Sequence, residues 1–410
     1  MNRYVIIGGG VAAVGCIEGI RKADTEGSIT LISGEKKTVY CRPLISYYLQ
    51  GKTDFEKMKY RSDEFYEKNN CKLVYDTAVS IDKDAKTVTV SSGEKIPYDK
   101  LCVATGSSPF VPPFTGLDNV SAKFSFMTED DAAEIEKAVD ENSRVLIVGA
   151  GLIGLKCAEG LCGRVKSITV CDLAERVLSS ILDEPCAKLM QNVLEENGIS
   201  FMLGDSAEKF DANKAYMKSG AVVDFDVLIL AVGVRANVSL VKEIGGETER
   251  GIIIDEKMKT SVEDIYAVGD CSQGVNALTG QKNVLALLPN AVMQGETAGQ
   301  NMAGADTVFD KGVPMNAIGF FGYHALTAGI YEGEMTEEKT DDSVKRLFVK
   351  DNRLVGFMLL GDIERAGIYT SLIREKTPLD TIDAEAIKIS PSLLPFSLKY
   401  RKIKLGGSKS

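Results

Sequence analysis

Two glycine turns define the chemistry open to this chain. Tyr4-Val5-Ile6-Ile7 runs into Gly8-Gly9-Gly10-Val11-Ala12-Ala13, and Val145-Leu146-Ile147-Val148 runs into Gly149-Ala150-Gly151-Leu152-Ile153-Gly154. Each apolar run predicts a buried strand, and the residues after each turn predict a helix. Gly8 and Gly149 permit the tight turn, Gly10 and Gly151 let backbone approach a pyrophosphate, and Ala13 and Gly154 let helix pack close to strand. The N–H-rich helix end then faces the phosphates. One such turn is common between strand and helix. Two on one chain predict two bound nucleotides, an arrangement suited to passing electrons from one to the other.

The acids that would hold the riboses come next. Residues 167–172 form the expected second strand of the later unit, and Asp172 follows Gly149 by about 20 residues, where a carboxylate accepts ribose hydroxyls. A carboxylate there repels a 2′-phosphate, which favours NADH. Arg176 nearby is either a partner for that phosphate or a solvated charge at a helix start. In the earlier unit the strand at 28–33 ends in Ser33, so ribose contact passes to Glu35, unless Glu35 is a solvated turn residue. Two more strands stop at glycine, one at Gly233 and one at Gly269-Asp270, the second placing a carboxylate in the crevice that open α/β sheets use. Lys100-Leu101-Cys102-Val103 enters Ala104-Thr105-Gly106, a crossover where backbone must run close to a ligand or another segment.

These elements alternate β and α and predict parallel sheets. The expected fold class is α/β: two Rossmann-like dinucleotide-binding domains plus a small α+β C-terminal domain. Pro109, Pro112 and Pro113 mark a boundary. The expected division is 1–110 with 234–312 for the first domain, 111–233 for the second, 313–385 for an α+β interface domain and 386–410 for a basic, mobile tail. That tail carries Lys399, Arg401, Lys402, Lys404 and Lys409. Within the C-terminal domain, 345–350 and 354–360 read as a hairpin around Asp351-Asn352-Arg353, a helix with Arg365, Ile368, Leu372 and Ile373 follows, and 332–342 reads as a solvated acidic loop.

Composition narrows the function classes. A net charge of −10 argues against general nucleic-acid binding. The chain shows neither a secretory leader nor an apolar run long enough to span a bilayer, so a cytoplasmic protein without a membrane anchor is expected. Nine cysteines lie scattered without a CxxC pair, which points to a reducing compartment, and no metal site is expected. Cys157 and Cys162 fall in the helix after the second turn and diverge around it, as ordinary helix cysteines. A single histidine, His324, leaves little scope for a histidine-based triad.

Taken in order, the turn at Gly8, Gly10 and Ala13, the Ala104-Thr105-Gly106 crossover, the second turn and Tyr266-Ala267-Val268-Gly269-Asp270 resemble the FAD-dependent pyridine nucleotide–disulfide oxidoreductase superfamily over nearly the whole chain. Residues 40–49 (Tyr40-Cys41-Arg42-Pro43 onward), Leu288-Pro289-Asn290-Ala291 and residues 360–367 resemble its branch of NADH:rubredoxin reductases, ferredoxin-reductase-like flavoproteins and nitrite reductase flavin portions. The resemblance implies FAD on the Gly8–Ala13 turn with Asp270 on its ribityl chain. It also implies Arg42 and Pro43 along the ring, and a helix starting near Leu288-Pro289 aimed at the ring's carbonyl side. NADH would lie on Gly149, Gly151, Gly154 and Asp172, beside Gly233.

Relatives that reduce disulfides carry a cysteine beside the flavin; aligning Tyr47-Tyr48 puts Pro43 at that position and Cys41 two residues away, as a passive loop cysteine or a redox-active one. Ferredoxin-reductase relatives pair a lysine with a glutamate where this chain has Tyr47 and Lys156, so Lys156 is either the cation near the flavin or an ordinary helix lysine. The implied function is hydride transfer from NADH to FAD and onward to rubredoxin or a similar small redox protein, docked through Lys36, Lys37 and Arg42 or the basic tail. The alternatives are an NADH oxidase, peroxidase or CoA-disulfide reductase, and a flavin electron-input subunit of a larger complex. Monomer and homodimer are both compatible with the sequence.

Overall fold

The computed structural model describes residues 1–404. Its chain divides into two compact units: Met1–Glu175 with Gly198–Asn276 and Gly280–Gly312, and Arg176–Asn197 with Ala277–Thr279 and the chain from Val313 onward.

The first unit contains the same construction twice. Strand β1 (Arg3–Ile7) turns through its glycines into helix α1 (Val11–Ala23) and pairs in parallel with β2 (Ser28–Ile32), which pairs with β3 (Cys71–Val74). On the other side of β1 lies β4 (Lys100–Val103), flanked by Ile265–Ala267, again all parallel. The second sheet follows suit: β5 (Arg144–Val148) turns into helix α2 (Leu152–Leu161) and is flanked by β6 (Ser167–Asp172) and then β7 (Ile199–Leu203). On the other side of β5 lies β8 (Val227–Leu230), which in turn pairs with Lys123–Phe124. Just before β4 in the first sheet and just before β8 in the second, the chain inserts a three-stranded antiparallel meander. The strands are apolar because both faces are covered: Ile6 and Ile147, at 0% exposure, each contribute about 1.5–3 kcal/mol of burial.

Sequence reasoning missed how α1 meets helix α3 (Leu288–Met302). A Cβ on Gly15 or Gly19 would stand 2.3 or 2.2 Å from the backbone oxygens of Val292 and Glu296, and one on Gly295 or Gly299 would stand 2.1 Å from those of Ala12 and Cys16. Backbone therefore packs on backbone. Contact positions rise together along both helices, so the two run parallel, with their N-terminal ends side by side.

In the second unit, strands β9 (Met315–Phe320), β10 (Tyr323–Gly329), β11 (Glu334–Lys339), β12 (Val344–Lys350) and β13 (Arg353–Leu360) form an antiparallel sheet in the order β9-β10-β13-β12-β11. The hairpin around Asp351 and Asn352 is present, both at positive φ (49° and 59°) as a two-residue turn of right twist demands. Helix α4 (Ala366–Arg374) covers the sheet, with the Tyr369 ring 5.6 Å from that of Phe357.

The acidic stretch 332–342 is not a loop: Glu334–Lys339 is an edge strand paired with Val344–Lys350. Its acids face solvent and blunt the open edge, so it lacks the apolar alternation that marks a strand. Arg346, 8% exposed, pairs with Glu337 across this edge and with Asp183, which also caps the helix Glu184–Glu196. Arg176 does not start that helix; it lies before it, donating to the carbonyls of Ser179 and Leu182. Residues 384–404 carry short helices at Ala384–Ile389 and Leu398–Lys404, and Phe396, buried in this unit's core, stacks on Tyr400. Lys409 lies outside the described residues.

The helix contact is the fold's least forgiving point. Replacing Gly295 with Ala forces a methyl into the Ala12 carbonyl and is expected to lower unfolding free energy by about 1–3 kcal/mol. A urea midpoint unchanged from the parent would refute this packing.

Candidate functional site

Gly8 sits at φ +116°, and a Cβ there would lie 2.2 Å from the Ala104 carbonyl oxygen. Gly10 caps α1 in extended conformation; α1 has no capping side chain and no acid in its first turn, and beyond its chain neighbours no atom of the described residues lies within 4 Å of where Gly10 would carry a Cβ. The second turn repeats this geometry. Gly149 sits at φ +119° with its phantom Cβ 2.2 Å from the Ala231 carbonyl oxygen, Gly151 caps α2 with open space around it, and Gly154 presses on the Gly149 carbonyl at 2.0 Å. Two uncapped helix ends with room for a close approach fit two pyrophosphates. Gly106 and Gly233 are likewise open, each at the end of a crossover strand.

The candidate FAD residues converge around the first turn. Ser33 is buried beside Gly9 and spends its hydroxyl on the Glu35 carbonyl at 2.9 Å. Gly269 faces Ala12, and its N–H donates to Gln294 of α3. Asp270 accepts from the Ser107 hydroxyl at 3.3 Å; burial raises its pKa, against a lowering pull from Ser107 and the Arg42 charge. Leu288 and Pro289 form the first turn of α3, which has no capping side chain.

Glu35 is committed within the chain: its carboxylate accepts from the Tyr40 hydroxyl at 2.9 Å and pairs with the Arg42 guanidinium. Arg42 also donates to the Met127 carbonyl. Its charge also lowers the pKa of Asp270. Tyr40, which the motif at 40–49 gave no role, also accepts the Glu129 N–H. Pro43 lies in the 3₁₀ turn Arg42–Leu44 that feeds the helix Ile45–Leu49. Asp172 accepts the N–H groups of Ala150 and Ala174 at 2.7 and 2.8 Å, which fixes its carboxylate beside the second turn.

Lys156 and Tyr47 are brought together. The ammonium lies 5.7 Å from the Tyr47 ring centroid and pairs with buried Glu159 at 2.7 Å. Helix Ile45–Leu49 presses on α2 where Gly160 leaves room for Leu49. Cys41 is half-buried, and burial pushes its thiol pKa up, away from the thiolate that redox work needs. All nine cysteines are free thiols, with Cys157 buried inside α2 and Cys162 at its end. Lys37 pairs with Glu129 and Asp130, so with Arg42 bound to Glu35 the expected docking patch loses two of its three cations to internal partners.

A family model for pyridine nucleotide-disulphide oxidoreductases matches residues 2–295. The NADH-dependent phenylglyoxylate dehydrogenase subunit epsilon of Aromatoleum evansii is 30% identical over 392 residues, 92% of this chain and 93% of that one. The NADH-rubredoxin oxidoreductase of Clostridium acetobutylicum is 26% identical over 389 residues, 93% and 97% of the two chains. The crystal structure of a covalent putidaredoxin reductase-putidaredoxin complex shares the fold, with a TM-score of 0.87 at 23% identity over 95% of this chain and 99% of that one.

The open space at Gly151 separates binding from stability. Gly151→Val is expected to leave the melting temperature unchanged while weakening NADH binding about tenfold or more, read by calorimetric titration. Undiminished affinity would remove this turn from the nucleotide site.

Proposed function

Because the chain belongs to the pyridine nucleotide-disulphide oxidoreductase family, whose members bind FAD and NAD(H), we propose that this oxidoreductase takes hydride from NADH onto FAD and passes electrons to a small redox protein such as rubredoxin. The observation that carries the reading is the twofold cradle: Gly8 against Ala104 and Gly149 against Ala231, in one compact unit. Bound FAD would supply a two-electron acceptor able to release electrons singly.

The chain's own residues do the positioning. The α1 end and Gly10 would receive the FAD pyrophosphate, Arg42 and Pro43 would line the ring, and Asp270 would accept from the ribityl chain. The α3 end favours negative charge on the ring. Gly151 and the α2 end receive the NADH pyrophosphate, and Asp172 takes the ribose hydroxyls and rejects a 2′-phosphate. Hydride transfer needs alignment more than proton donors, so no acid–base dyad is required. Residues 1–110 with 234–312 serve as the FAD domain and 111–233 as the NAD domain, in a cytoplasmic protein. Among the described residues no helix is long and apolar enough to cross a membrane.

A second reading, a flavin electron-input subunit, is favoured by the near-complete overlap with a relative named as the epsilon subunit of a dehydrogenase. Thiol-dependent peroxidase or CoA-disulfide reductase activity would have to rest on Cys41, which is half-buried.

The purified protein is expected to be yellow and to bleach on anaerobic addition of NADH, more readily than with NADPH, with turnover when rubredoxin is supplied. Fast bleaching without turnover on any small acceptor would favour the subunit reading; colourless protein that never bleaches would reject both. Replacing Lys156 with Ala is expected to slow bleaching by up to about tenfold, and a stopped-flow rate equal to the parent's would demote it to a structural ion pair.

A further inference from the structure

The chain passes twice between the two halves of the first unit, and the passing strands, Ser107–Pro109 and Val234–Ala236, pair antiparallel. Each leaves from the carbonyl on which a turn glycine rests, Ala104 under Gly8 and Ala231 under Gly149. The ladder between the two cradles is therefore short. At one end it is closed by the Phe110 N–H on the Gly233 carbonyl at 2.9 Å. At the other end a single residue, Asn237, closes it with all four of its polar groups. Its N–H donates to the Gly106 carbonyl at 3.0 Å, and its carbonyl accepts from the Thr105 hydroxyl at 2.9 Å. Its side-chain NH₂ donates to the Thr105 carbonyl at 2.8 Å, while its side-chain oxygen accepts from the Ser108 hydroxyl at 2.9 Å. The neighbouring hydroxyl, on Ser107, points instead to Asp270.

We propose that Asn237 is a positioning residue that sets how the NAD cradle approaches the FAD cradle, acting through Thr105 and Ser108 without touching either nucleotide. The proposal rests on the two-nucleotide reading above. Two hydrogen bonds from one amide are small beside the stability of the unit. They lie at the pivot, however, where a displacement of an ångström at the reacting atoms costs far more in rate than in folding.

The test separates binding from alignment. Asn237→Ala is expected to retain its FAD content, and its affinity for NAD⁺ by calorimetry should stay within about twofold, while bleaching at saturating NADH slows about tenfold or more. Asn237→Asp, which keeps the size but loses the donor to Thr105, should follow it. A parental bleaching rate overturns the proposal. Loss of FAD, or NAD⁺ binding weakened in proportion to rate, overturns it too, since Asn237 would then belong to a cradle. Should Asn237→Ala fail to fold, Ser108→Ala removes one exposed hydroxyl contact and carries the same comparison: slower bleaching at intact NAD⁺ affinity supports the proposal, and a parental rate rejects it. Failure of the underlying reading looks different, because the parent protein itself would then lack FAD or resist bleaching by NADH.

Discussion

A carbonyl oxygen pressed against a glycine Cα, once at Ala104 and Gly8 and once at Ala231 and Gly149, is the contact on which everything else in the first unit depends. Any side chain at either glycine would place a carbon about 2 Å from that oxygen, and the positive φ would be strained as well. The contact pins the turn to the neighbouring strand's end, so the following helix starts at the sheet's carboxyl edge with its first N–H groups turned outward. Nothing in that arrangement requires a particular side chain at the phosphate. It requires the absence of one, at Gly10 and Gly151.

Repetition of the unit explains the economy of the site. Two similar sheets, each with its meander, each deliver an uncapped helix end, and the chain needs only one crossing in each direction to join them. The chemistry that results is one of alignment. The charged groups nearby are tied to partners, Arg42 to Glu35 and Lys156 to Glu159 one turn along its own helix beside the Tyr47 ring, and so hold fixed positions. Fixed charges cost no reorganisation when charge moves beside them.

Much of this was legible in residue order because it rests on backbone rules. Gly8, Gly149, the strands beside them and the place of Asp172 beside the second turn announce themselves by spacing, since a tight turn between strand and helix leaves few alternatives. Side-chain partnerships across distant segments left no such trace. Tyr40 with Glu35 and Asn237 with Thr105 and Ser108 pair residues whose types are unremarkable in isolation. The Gly15, Gly19, Gly295 and Gly299 face was visible as composition but not as contact, because each half means nothing without the other. Strand Glu334–Lys339 misled for the opposite reason: an edge strand that guards itself with acids has the composition of a loop.

The parallel run of α1 beside α3 has an electrostatic consequence. Side by side, two helices pointing the same way bring two positive poles together, and like poles repel. Glycine-on-glycine packing holds them there regardless, which concentrates roughly a full elementary charge of partial character at one spot on the protein. An anionic prosthetic group seated across both poles would relieve that repulsion, so tight retention of the group and robustness of the fold become two expressions of one force.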